Sequence, residues 1–179
     1  MEIIDTPLAG LKCIVPRKFP DDRGYFLETH HAGKYAPIVG GAFVQDNLSH
    51  SRRGVLRGLH YQFPDWQGKL VFPVTGDIFD VAVDIRPDSP TVGQWYGVVL
   101  SAQDHRQLYV PPGFAHGFCV LSETADVIYK CTALYNPKAE FTLAWDDPAV
   151  GVAWPVRDPI VSAKDREGRP LAAVLKDVR

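Results

Sequence analysis

Hydrophobic and polar residues alternate through much of the middle of the chain with a period of two. In Asp77–Ile85 one parity carries Phe79, Val81, Val83 and Ile85, and the other carries Ile78, Asp80, Ala82 and Asp84. Successive side chains of an extended strand point to opposite faces, so this pattern predicts a strand with one apolar and one mostly polar face. Similar stretches predict further strands over about 43–48, 55–62, 69–74, 95–101, 106–110, 117–121, 126–132 and 141–146. Turn chemistry separates them: Thr75-Gly76-Asp77, Pro87-Asp88-Ser89-Pro90, Pro111-Pro112-Gly113 and Asn136-Pro137. Helical periodicity is scarce. It is confined to a turn near 31–37, another at 101–105, and a stretch over 162–176. That last one starts near Ser162 with Asp165 in its first turn, and Gly168 and Pro170 break it early. Many short strands at regular spacing predict a mainly β protein, an antiparallel sandwich or barrel.

Length and composition narrow the picture. A chain of 179 residues is expected to form one domain over 1–179, and a hydrophobic fraction of 46% can fill its core. The 15 glycines and 15 prolines are spread as punctuation and form no linker. A net charge of −2 argues against general nucleic-acid affinity, yet leaves room for local basic clusters that hold a phosphorylated small molecule. Cys13, Cys119 and Cys131 are odd in number and form no CxxC pair, which argues against a disulfide framework or a thiolate zinc site. Met1–Asp5 lacks the basic start and apolar run of a signal peptide, and no apolar segment is long enough to span a bilayer. A soluble cytoplasmic protein is the expectation.

The richest chemistry lies in Gly58-Leu59-His60-Tyr61-Gln62 and Gly68-Lys69, preceded by Gln45, Asp46, Asn47, His50, Arg52, Arg53 and Arg57. A neutral imidazole removes a proton near pH 7, and an ammonium stabilises the anion left behind. That is the apparatus for proton abstraction beside a carbonyl. Strict alternation puts His60 on one face with Leu56, Gly58 and Gln62. His116 follows the rigid turn Pro111-Pro112-Gly113 and is expected near a barrel mouth. Cupin metal sites usually take a His-x-His pair, and here Tyr61 and Gln62 follow His60, so metal is the weaker reading. Tyr129 shares a parity with Val127 and Cys131, which suits a core residue with a satisfied hydroxyl; a phenol there can also deliver a proton opposite a histidine. Asp165 reads either as a first-turn helix charge or as the carboxylate that orients an imidazole. Arg23-Gly24-Tyr25-Phe26-Leu27-Glu28 suits an N-terminal β-ribbon, either as surface or as a phosphate and base contact.

Several ordered segments resemble the dTDP-4-dehydrorhamnose 3,5-epimerase family, from about residue 3 to residue 175. They include Phe19-Pro20-Asp21-Asp22-Arg23-Gly24-Tyr25-Phe26, Gln45-Asp46-Asn47-Leu48-Ser49, Gly54-Val55-Leu56-Arg57-Gly58-Leu59-His60-Tyr61-Gln62 and Gln67-Gly68-Lys69-Leu70-Val71. Pro112-Gly113-Phe114-Ala115-His116-Gly117-Phe118, Tyr129-Lys130-Cys131-Thr132, Trp145-Asp146-Asp147-Pro148 and Ser162-Ala163-Lys164-Asp165 continue the match. Leu134 stands where many members carry a tyrosine. The resemblance implies a cupin-like jelly-roll barrel that works as a homodimer without metal or organic cofactor. The implied substrate is dTDP-4-dehydro-6-deoxy-D-glucose, whose C-4 ketone acidifies C-3 and C-5. By the same resemblance His60 is the base, Asp165 its orienting partner, Lys69 the enolate stabiliser helped by His116, and Tyr129 the acid on the opposite face. Tyr135 would stack on thymine. Arg23, Phe26, Glu28, Gln45, Asn47, Arg57, Glu140 and Lys164 would hold nucleotide and sugar. Two other readings stay open: an epimerase of a single centre, and a non-catalytic cupin that binds nucleotide sugars.

Overall fold

The computed structural model describes residues 1–178. In chain order the elements are β1 (Glu2–Asp5), β2 (Lys12–Val15), β3 (Lys18–Asp21), β4 (Gly24–Leu27), α1 (Ala32–Val39), β5 (Gln45–Arg52), β6 (Val55–Gln62), β7 (Lys69–Thr75) and β8 (Asp77–Asp84). They continue with β9 (Trp95–Ser101), β10 (Gln107–Val110), β11 (Phe114–Val120), β12 (Thr124–Cys131), β13 (Glu140–Thr142), β14 (Ile160–Val161), α2 (Ala163–Arg166) and α3 (Leu171–Asp177). One sheet runs β1-β2-β10-β7-β12-β5 and the other β13-β6-β11-β8-β9, with β14 added to β6. All pairings are antiparallel except the short β14–β6 bridge. Two antiparallel sheets joined by crossovers fit the antiparallel sandwich or barrel that the strand spacing predicts, in the cupin-like jelly-roll form that the family resemblance implies.

The inner faces meet in a core that joins Cys13, Val71, Leu108, Val110, Ala125 and Val127 of the first sheet to Ile78, Ala82, Leu100, Phe114, Phe118 and Val120 of the second. Each fully buried aliphatic side chain here contributes about 1.5–3 kcal/mol by leaving water. The outer faces are covered too. Helix α1 seals Ile14, Leu70 and Tyr109, and the C-terminal segment with α3 seals Leu59, Tyr61, Val81, Val83 and Ile85.

That second cover changes the expectation for β8. Its apolar parity faces the C-terminal segment, and its mostly polar parity faces the barrel interior, where Asp80 and Asp84 are fully buried. A strand covered on both sides has no solvent face, so polar residues in it mark internal partners. Asp84 takes Arg86, Ser89 and Thr91. Asp80 takes His116.

Other boundaries differ for local reasons. β5 extends to Arg52 because it pairs with β12 along its whole length. β11 begins at Phe114, directly after the Pro-Pro-Gly turn. The 101–105 segment is a turn and not a helix, whereas Ser162 caps α2 by accepting the Asp165 backbone N–H at 3.1 Å. Gly168 and Pro170 separate α2 from α3 as the breaker residues predict. The N-terminal β1 and β2 lack a visible alternation; β1 is an edge strand held by its pairing to β2, whereas β2 lies between β1 and β10 and buries Cys13 and Ile14.

Candidate active site

One cavity of about 350 Å³ opens between the sheets. Its wall from the second sheet is set by an irregularity in β6. His60 pairs with His116 and Arg57 pairs with Phe118, so three steps on β6 oppose two on β11. Such a bulge shifts the side-chain phase by one. Arg57 and His60 therefore both face the cavity, and Leu56 does not share their face, contrary to strict alternation. Glycines make the irregularity possible. Gly58 has φ +123°, and a Cβ on it would sit 2.6 Å from the Gly117 Cα and 2.7 Å from the His116 carbonyl oxygen.

His60 turns Nε2 to Asp165 Oδ1 at 2.6 Å. Asp165 comes from the first turn of α2, more than a hundred residues away in sequence, and its side chain is only 5% exposed. Burial pushes its carboxyl up, but hydrogen bonds from His60, from the Gly58 backbone and at the Ser162 cap outweigh this and hold it below its ordinary value. A carboxylate that accepts the Nε2–H leaves the lone pair of the imidazole on Nδ1.

The opposite wall comes from the first sheet. Asn47 pairs with Tyr129 across β5 and β12, and Cys131 pairs with Lys69 across β12 and β7. Gln45, Asn47, Ser49, Lys69 and Tyr129 share the inner face and line the cavity. Exclusion of water lowers the Lys69 ammonium, partly opposed by the nearby Cys131, Glu140 and Asp80. The same exclusion raises the Tyr129 phenol, which keeps its proton at neutral pH. Gln45 donates to Asn47 at 3.0 Å, and Asn47 donates to the Cys131 sulfur at 3.5 Å.

At the mouth, Tyr135 donates its hydroxyl to Glu140 at 2.8 Å and its backbone N–H to Gln45 at 2.7 Å. Lys164 pairs with the same Glu140 carboxylate. Burial raises Glu140, while bonds from Lys164 and Tyr135 bring it below its usual value. Arg57 is steered by Ser51, whose hydroxyl accepts its Nε–H at 2.9 Å.

The cavity thus gathers His60, Lys69, His116, Tyr129, Gln45, Asn47, Arg57, Tyr135, Glu140 and Lys164, with Asp165 behind His60. Arg23, Phe26 and Glu28 are elsewhere. The β3–β4 ribbon belongs to neither sheet; there Arg23 pairs with Asp21, and Phe26 is 69% exposed. Glu28, just beyond it, pairs with Lys34. Sequence reasoning passed over Ser49, Gln67 and Phe118, which also line the cavity. Ser49 shares the parity of Gln45 and Asn47, and Gln67 that of Lys69, so parity was the available signal. Asp80 was visible only as one of the carboxylates on the mostly polar parity of β8. Among the described residues no group of three His, Cys, Asp or Glu converges as a metal-ligand set.

An imidazole on one sheet, with a phenol and an ammonium on the other, can remove a proton, hold an oxyanion and return a proton elsewhere. Fold and pocket together define a cupin-like β protein with an acid–base site. A family model described as dTDP-4-dehydrorhamnose 3,5-epimerase matches residues 5–173. The chain belongs to this family. It is 52% identical over 178 residues to the dTDP-4-dehydrorhamnose 3,5-epimerase of Neisseria gonorrhoeae, covering 98% of this chain and 54% of that protein, so it spans about half that relative's length. A crystal structure of dTDP-6-deoxy-D-glucose-3,5-epimerase from Legionella pneumophila in complex with dTDP-4-keto-L-rhamnose matches with a TM-score of 0.94 at 47% identity, over 99% of this chain and 96% of that one. A 3'-monoepimerase from Streptomyces bikiniensis in complex with dTDP-quinovose matches with a TM-score of 0.90 at 31% identity, over 97% and 89%. Among the described residues no helix is long and apolar enough to cross a membrane.

Proposed function

We propose that the chain, as one domain over residues 1–179, converts dTDP-4-dehydro-6-deoxy-D-glucose to dTDP-4-dehydro-L-rhamnose by inverting C-3 and C-5. The observation that carries this is the placing of His60 and Tyr129 on opposing sheets around one cavity, with Lys69 on the same lining. Inversion requires that a proton leave one face of the sugar ring and another arrive on the opposite face, so acid and base must flank the ring. The C-4 ketone acidifies each neighbouring C–H. His60 takes the proton at Nδ1, with Asp165 fixing the tautomer. Lys69 and His116 hold the C-4 enolate oxygen, and Tyr129 protonates the carbon from the far side. Each inversion adds one proton to His60 and removes one from Tyr129, and solvent resets both.

Gln45, Asn47, Arg57, Glu140 and Lys164 hold the sugar and pyrophosphate, and Tyr135 stacks on thymine. Arg23, Phe26 and Glu28 reach the pocket of a second copy in a homodimer. The support for this is that they are exposed or paired away from their own cavity. The protein acts in the cytoplasm. A second reading, inversion of a single centre, is favoured by the likeness to the monoepimerase, though its identity is lower than that of the double epimerases.

Incubation with substrate in deuterium oxide tests the reading. Deuterium at both C-3 and C-5 of the product is the expected result. Label at one carbon establishes the single-centre reading, and tight dTDP binding without label at either establishes a binding protein.

A further inference from the structure

The cavity contains a second imidazole–carboxylate pair, and it differs from the first in one respect. His116 Nε2 lies 2.9 and 3.0 Å from the two Asp80 oxygens, with His116 6% and Asp80 0% exposed. The register explains the contact. His116 pairs with Ala82 and Phe118 with Asp80, so His116 and Asp80 are diagonal neighbours on the inner face of β11 and β8. His116 also sits directly beside His60 across β6. Asp165 receives a backbone N–H from Gly58 and lies in the first turn of a capped helix, so its charge is answered by more than the imidazole. Asp80 has no such help: among the described residues His116 is the one hydrogen-bond donor that reaches it.

We propose that Asp80 is a positioning residue that holds His116 doubly protonated, so that His116 presents Nδ1–H to the ketone oxygen while His60 stays a neutral base. This rests on the epimerase reading above and assigns opposite protonation states to the two pairs. A buried carboxylate with one partner is expensive unless that partner carries positive charge. Once Nε2–H is given to Asp80, only the imidazolium has a proton left for the cavity. Arg57 and His60 from β6, Lys69 from β7, Tyr129 from β12 and Glu140 from β13 share the cavity with His116. Two neighbouring cations in a dry pocket oppose each other, and the Asp80 charge allows Lys69 and His116 to be cationic together. Asp80 is among the groups that favour the charged form of Lys69, which burial disfavours.

The unsubstituted protein gives the first test. Nitrogen-15 NMR of the ring at neutral pH should show both His116 nitrogens protonated and one His60 nitrogen bare. A neutral His116 overturns the proposal. The second test is Asp80→Asn, which keeps the volume. The ring then loses the anion that holds its second proton, and loss of one oxyanion stabiliser costs about 10²–10³-fold. The expectation is a fall of that size in kcat, with dTDP affinity unchanged and the His116 imidazolium signal gone at neutral pH. Unchanged turnover, or an equal loss of dTDP affinity, overturns the assignment. The deuterium assay on the unsubstituted protein reports whether C-3 and C-5 exchange, whatever the protonation state of His116, so failure of the epimerase reading and failure of the Asp80 assignment give different results.

Discussion

His60 with Asp165 and His50 with Asp126 make nearly the same contact, 2.6 Å in one case and 2.7 Å in the other. One pair lies at the cavity with side chains 26% and 5% exposed, and the other lies on the outer face of the β5–β12 sheet with side chains 66% and 29% exposed. Both carboxylates are held below their usual values, Asp126 first by the Thr75 hydroxyl and then by His50, Asp165 by bonds that overcome burial. The chemistry of the two contacts is alike. What differs is the surroundings. Around His60 stand Lys69, Tyr129 and His116 in a cavity partly shielded from water, and a ring held there can exchange protons with a bound ligand. Around His50 stands solvent, and an exposed ion pair contributes about 0–1 kcal/mol. A histidine–aspartate distance therefore does not identify a site; the cavity it faces does.

Substitutions turn that contrast into numbers. His60→Ala is expected to lower kcat by about 10³–10⁴-fold, the scale of a lost general base, with dTDP still bound. Near-normal turnover would refute the assignment. Lys69→Met should lower kcat by about 10²–10³-fold, the loss of one oxyanion stabiliser; a change confined to KM would mean that Lys69 serves binding alone. Tyr129→Phe should separate two steps that the unsubstituted protein couples. Inverted product should fall at least about tenfold more than loss of the substrate C–H label to solvent, a split of the kind a missing acid produces. Parallel losses speak against the phenol as acid.

Stability against pH gives a smaller effect with a definite sign. Asp165 is lowered in the folded state, so the unfolded chain binds a proton at pH values where the folded chain does not. Its contribution is complete above the ordinary carboxylate value of about 4 and is lost as pH falls through the folded value. Asp165→Asn should therefore flatten the fall of Tm between roughly pH 5 and pH 3; an unchanged slope would show that the pair adds nothing to folding. His50→Ala sets the lower end of the scale, with stability within about 0.5 kcal/mol and turnover unchanged. A large loss of activity there would erase the distinction between the two pairs.

Strand existence was legible wherever a short apolar or alternating run met turn residues, as in β6, β7 and β9. β1 and β2 were not, because strands of four residues carry too few positions to show a period. The candidate residues of the cavity were legible as residue types in family segments. Their arrangement was not. Arg57 and His60 share a face through a bulge that no alternation shows. Asp165 meets His60 because α2 folds back under β6, and Asp80 lies inside because the C-terminal segment covers the other face of β8.

By itself the chain determined a β-rich fold, its turns, the breaks around α2 and α3, and an inventory of proton-transfer groups. These follow from local rules: side-chain period, fixed φ at proline and the ionisation of single groups. Tertiary structure decided which imidazole faces the cavity, which carboxylate supports it and which histidine–aspartate pair stays in solvent. Those outcomes depend on contacts between distant residues and on the exclusion of water, and neither property belongs to any stretch of sequence.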